Sequence, residues 1–199
     1  MRWDKLFDDL ESQLEQEISA DDLEVDAEEE RLRLGRLSMR DRIVALHARS
    51  SEQSPLTLSV LLITGTRLAV RPAIVGRDWM SADLVDESGR PAQCIVPFAA
   101  IAGISLGAAH ITPSLATMPS SGHPSLSQRL GLSYVLRDLC RRRRAITVLL
   151  VAGEVHGTID RVGRDHLDIA LHERGSVRRE TAVTEYRLVP FASLVLVRP

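Results

Sequence analysis

Lysine is nearly absent from this chain: Lys5 is the only one, and every other cation is arginine. A GC-rich genome accounts for such a bias, and so does selection for the planar guanidinium that forks onto phosphate. Cysteine is scarce. Cys94 and Cys140 stand too far apart for the short spacings that hold zinc or mark a redox pair. No run of about 18 apolar residues exists, so no transmembrane helix is expected. The opening Met1-Arg2-Trp3-Asp4-Lys5 leads directly into acids and lacks the apolar core of a signal peptide. A reduced, cytoplasmic protein is expected. The Gly-x-x-x-x-Gly-Lys loop that cradles phosphates is missing, as is any nucleophile elbow. Without them, no enzymatic activity and no cofactor are expected.

The formal charge of −2 over 199 residues hides a strong asymmetry. Residues 1–30 hold thirteen acids and two bases, a net −11, so the rest of the chain carries +9. Such polarity describes an acidic arm on a basic body. Within the arm, Trp3, Phe7, Leu10 and Leu14 recur at steps of four, three and four, with Leu6 and Ile18 widening the stripe. That is the period of an amphipathic helix. Its apolar face packs either on the protein's own body or on a partner. A second helical stretch is expected from Ala27 through Glu28-Glu29-Glu30 towards Leu34.

An internal repeat organises the remainder. Val60-Leu61-Leu62-Ile63-Thr64-Gly65 returns as Val148-Leu149-Leu150-Val151-Ala152-Gly153. Val75-Gly76-Arg77-Asp78 returns unchanged as Val162-Gly163-Arg164-Asp165, and Val96-Pro97-Phe98-Ala99 as Val189-Pro190-Phe191-Ala192. Three blocks in one order, at offsets of 88, 87 and 93, indicate a duplication. A helical stripe precedes each copy, through Ile43 and Leu46 in the first and through Val135, Leu136 and Leu139 in the second. Each unit then reads as one helix followed by five strands.

In the second copy, residues 146–151 form a continuous apolar run, and Gly157 permits a bend in the next strand. Leu167, Ile169 and Leu171 alternate with His166, Asp168 and His172, so the two sets face opposite sides. In the first copy Met80, Ala82 and Leu84 point inward, and Trp79, Ser81 and Asp83 outward. The expected organisation is an arm (1–30), a first unit (31–106), an extended Pro/Gly/Ser-rich linker (107–126) and a second unit (127–199).

One helix, five strands, a bent second strand and a Gly-x-Asp turn before the third strand resemble the Sm-like fold, a small bent open barrel. The resemblance spans about residues 36–105 and 128–198, and rests on Gly163-Arg164-Asp165-His166-Leu167, Gly76-Arg77-Asp78-Trp79-Met80 and the two Val-Pro-Phe-Ala turns. It implies a mainly β chain with helices: two tandem Sm-like barrels behind an acidic N-terminal helix. Departures weaken the implied uridine pocket. Ser81 and Asp168 stand where that family's RNA binders place asparagine, and Phe98-Ala99 and Phe191-Ala192 replace its arginine-glycine pair. The chain is also similar to proteins of high-GC actinobacteria, some labelled transcription regulators. No helix-turn-helix supports that label.

Chemistry concentrates in arginine. Arg141-Arg142-Arg143-Arg144, with Arg137 a turn earlier, ends the second unit's helix; Arg174, Arg178 and Arg179 extend the set. Cations suit a helix C-terminus, but five exceed what capping requires, so a phosphate-binding patch for RNA or other nucleic acid is the first functional expectation. The acidic arm would compete with phosphate for it. The alternative is a protein-interaction or assembly module acting through barrel edge strands and the N-terminal helix, homo-oligomers included. Trp79 either stacks a base or packs on a neighbouring helix. His166 and His172 share a strand face with Asp168, too few ligands to expect a metal. Asp78 and Asp165 are expected to satisfy turn amides, and Phe98 and Phe191 to anchor cores.

Overall fold

A computed structural model of the chain describes residues 24–51, 53–85, 92–116, 126–175 and 182–199. Two units divide the chain, Met1–Met39 and Arg40–Pro199. In the first, residues 24–36 form a helix, α1. Its side chains are largely exposed, and ion pairs three residues apart lace its surface. Arg31 meets Glu28 at 3.3 Å and Arg33 meets Glu30 at 2.6 Å. Trp3, Phe7, Leu10 and Leu14 lie outside the described residues.

Arg40–Pro199 is mainly β. Helix α2 (Met39–His47) leads into strands β1 (Leu58–Leu62), β2 (Arg67–Val75), β3 (Trp79–Leu84), β4 (Ala92–Pro97) and β5 (Ile101–Ser105). Short helices α3 (Ala108–Ser114) and α4 (Leu126–Arg129) connect to helix α5 (Leu132–Arg141). Strands β6 (Ala145–Leu150), β7 (Gly153–Val162), β8 (His166–Leu171), β9 (Glu185–Pro190) and β10 (Leu194–Arg198) complete it.

The strands form one antiparallel sheet in the order β5-β1-β2-β3-β4-β10-β6-β7-β8-β9. This corrects the expectation of two tandem Sm-like helix-plus-five-strand barrels: the chain builds a single ten-stranded open sheet. The joint is β4 against β10, with Val197 opposite Ile95. Alternating apolar residues specify that a strand buries one face, but any antiparallel strand offers the same main-chain donors and acceptors. Pairing partners at sheet edges are therefore not written in the alternation.

Duplication is visible throughout the two halves. Each half orders its strands fifth, first, second, third, fourth. The Asp78 carbonyl accepts the Phe98 amide at 3.0 Å, and the Asp165 carbonyl accepts the Phe191 amide at 2.7 Å. A bulge interrupts β2 against β3 between Pro72 and Ile74, and another interrupts β7 against β8 between Ile159 and Arg161. Gly157, expected at a bend, instead permits close approach: a Cβ there would stand 2.2 Å from the Ala170 carbonyl oxygen.

Two apolar cores lie on this sheet, and each borrows from the other repeat. The first, around Val60, Met80 and Val96, includes Val195 and Leu196 of β10. The second, around Leu136, Ile159 and Ile169, includes Trp79 and Ile95 of the first repeat. Ile43 and Leu46 of α2, and Leu132, Leu136 and Leu139 of α5, supply the helical faces. The segment expected as an extended linker contains α3. Pro113 sits near its end, where few later residues need a helical bond. Ser114 is fully buried; its hydroxyl donates to the Ile111 carbonyl at 2.6 Å and accepts from the Arg42 guanidinium at 2.8 Å.

Candidate functional site

Three places bear on function: the joint between repeats, the arginine run and the free edge β9.

The joint is held by polar contacts as well as apolar ones. Trp79, expected on an outward face, is only 4% exposed and packs in the second core. Its indole N–H donates to the Leu130 carbonyl at 3.0 Å, and the Arg77 amide donates to that same carbonyl at 3.1 Å. Asp78 was expected to satisfy its own turn. Its carboxylate instead accepts the Leu132 amide at 2.7 Å. It thereby caps α5 from the other repeat, where Gly131 at the N-cap has no side chain to do so. Trp79 also lines a groove of ≈ 450 Å³. Ile74, Ser81 and Ile95 wall one side, and Val135, Asp138 and Leu139 of α5 the other. Phe98 and Phe191 are half-buried against their cores rather than central to them.

The arginine run does not form one face. Helix α5 ends where Arg143 takes a left-handed φ of 51°. The Arg143 amide then bonds the Cys140 carbonyl and the Arg144 amide the Leu139 carbonyl, a Schellman closure that turns the chain off the helix axis. Carboxylates engage most of the guanidinium groups. Asp138 takes both Arg141 (2.7 Å) and Arg142 (2.6 Å), and the Arg141 guanidinium holds its carboxyl below the ordinary range, with Arg142 adding to the effect. Arg143 meets Asp160 at 3.0 Å, and Arg174 and Arg198 both bond Glu154. Among the described residues Arg137 reaches only the Gly163 carbonyl, at 3.4 Å. Among the described residues Arg144 makes no side-chain ion pair. Arg178 and Arg179 lie outside those residues.

The histidines also depart from expectation. His172, placed on an outward face by alternation, is buried, one residue beyond the end of β8. Its Nε2 lies 2.9 Å from the Thr158 hydroxyl, and its ring meets His156 edge-on at 5.4 Å. Burial, reinforced by His172 and Arg174, pushes the His156 imidazole below its ordinary pKa. No group of three or more metal-ligating side chains occurs among the described residues. Cys94 is buried and its thiol is pushed up to about 11 by that burial. No helix among the described residues is long and apolar enough to cross a membrane.

Strand β9 was not singled out from the sequence. It is an outer strand, and Tyr186 (59% exposed) and Leu188 (63%) stand on its open face. These two line a hollow of ≈ 280 Å³ with Asp160, Arg161, Asp168 and Arg187. Arg187 also forks onto Glu185 of the same strand, with both bonds at 2.9 Å. One signal could have found it. Val189-Pro190 aligns with Val96-Pro97, so β9 corresponds to β4 and Leu188 to Ile95. Ile95 is 6% exposed at the joint, and its counterpart is bare. The hollow corresponds likewise to the first-repeat wall of the joint groove, and no helix among the described residues lines it.

No family model, curated protein or solved structure matches the chain.

Proposed function

We propose that this chain is a protein-interaction module that works through the free edge β9. The observation that carries the reading is the unequal fate of equivalent strands. β4 is paired by β10 and its groove is covered by α5, while β9 presents Tyr186 and Leu188 to solvent. An outer strand keeps a row of unpaired amides and carbonyls, to which an extended segment of another protein adds as one more strand. The hollow beside Leu188 receives side chains from that partner.

A nucleic-acid reading rests on Arg144 and Arg137, the members of the run that no carboxylate engages among the described residues. It ranks second because phosphate would have to displace Asp138, Asp160 and Glu154 from the other arginines. Photo-cross-linking in cells separates the two. A photoreactive residue in place of Leu188 is expected to yield protein adducts, and one in place of Arg144 none with nucleic acid. Nucleic-acid adducts at position 144 with no protein adduct at 188 would overturn the proposal.

A further inference from the structure

The free edge has a chemistry that selects its partner. We infer that β9 pairs with β9 of a second copy of this chain, giving a closed two-fold dimer whose sheet runs continuously through both molecules. This rests on the protein-interaction reading above and names the partner.

The other end of the sheet is closed to a neighbour that joins as the repeats join. If copies joined head to tail as the repeats join, α2 of one copy would sit over the β9 hollow of the next. The joint groove is covered by Val135, Asp138 and Leu139 of α5 and by Arg142 just past its end. The matching positions are Arg42, Ala45 and Leu46 of α2 and Arg49 just past its end, as the buried pairs Ile43 with Leu136 and Leu46 with Leu139 show. That face is already taken by the chain's own α3. Arg42 bonds Ser114, and His110 and Pro113 face Leu46 and Arg49 across a hollow of ≈ 170 Å³. A neighbour added in the manner of the joint would collide with α3. Addition in the manner of the joint is thus closed at that end, and association through a single self-complementary patch on β9 closes as a two-fold dimer.

The charge pattern of β9 then selects the second copy. Two copies of one strand related by a two-fold axis are antiparallel by symmetry. With Tyr186 on the axis, Glu185 stands opposite Arg187 of the second copy, and Arg187 opposite its Glu185. The ion pair that now closes within each strand is then exchanged for two cross-strand pairs. On the other face the two Tyr186 rings meet and Leu188 flanks them, which covers the two side chains left bare in the single chain. With Arg187 on the axis, like charges would oppose each other, whereas the register about Tyr186 sets opposite charges together.

The test is the mass of the full chain by light scattering over a concentration series, with charge reversals. The dimer is expected. Glu185→Arg alone and Arg187→Glu alone should each weaken it about tenfold or more, since two opposed like-charge pairs arise by symmetry. Combining both reversals should restore it, because the pairs then re-form with their signs exchanged. Both side chains reach solvent, so the variants fold; circular dichroism checks that. A mass that stays at one chain, or climbs beyond two, overturns the inference, as does a dimer blind to the single reversals. A chain that is monomeric when pure but cross-links to other proteins through position 188 in cells refutes only the self-pairing. Absence of both sinks the underlying reading too.

Discussion

Trp79→Ala probes the finding that the two repeats share one sheet. The indole is 4% exposed, belongs to the first repeat, and lies in the core of the second. Truncating a buried tryptophan costs about 3–5 kcal/mol through lost burial and the cavity left behind. For a chain of this size each kcal/mol lowers the melting temperature by about 2–4 °C, so a fall of about 10 °C is expected. Trp79→Phe separates the ring from its hydrogen bond. Phenylalanine keeps most of the apolar surface and loses the N–H that reaches the Leu130 carbonyl. That carbonyl still accepts the Arg77 amide, so it is not orphaned, and the loss should be about 1 kcal/mol. Urea unfolding followed by far-ultraviolet circular dichroism measures both, with calorimetry to count transitions. One cooperative transition, moved as a whole, is expected. Two transitions of which only one moves, or a loss under about 1 kcal/mol for the alanine variant, would refute the argument, because independent repeats behave in that way.

Gly157→Ala places a Cβ 2.2 Å from a backbone oxygen that no rotamer can relieve. It should cost about 1–3 kcal/mol or more by urea unfolding. Gly65→Ala has open space around it but a φ of 83°. Only the left-handed backbone penalty, about 1–2 kcal/mol, is expected there. His156 has a folded pKa below its unfolded value, so the unfolded chain binds the proton more readily. Its contribution is present in full above the ordinary histidine range and is lost as pH falls through the folded pKa. Melting temperature against pH should therefore decline on acidification, and more shallowly in His156→Phe. Cys94 should resist alkylation at about pH 8 until the chain is unfolded, as mass spectrometry of labelled peptides would show. Asp138→Asn should release Arg141 and Arg142 and raise the salt needed to elute the protein from heparin; unchanged elution would show that those arginines never face a polyanion.

By itself, the sequence determined the elements and their duplication. Alternation along Leu58-Val60-Leu62 and Leu167-Ile169 buries one strand face, and the stripe Leu132-Leu136-Leu139 buries one helix face, because these periods are fixed by local backbone geometry. The repeated blocks identified which turns correspond. Tertiary structure decided what local geometry cannot. Whether β4 closes a barrel or meets β10 depends on an edge whose hydrogen-bonding groups look alike to every antiparallel strand. Whether an arginine faces phosphate or Asp138 depends on a carboxylate one turn away on the same helix, and for Arg143 on Asp160, brought in from another strand. His172 reversed its expected exposure, and Trp79 took the packed one of its two alternatives, for the same reason: period two says which residues share a face, and only the packed molecule says whether that face meets water.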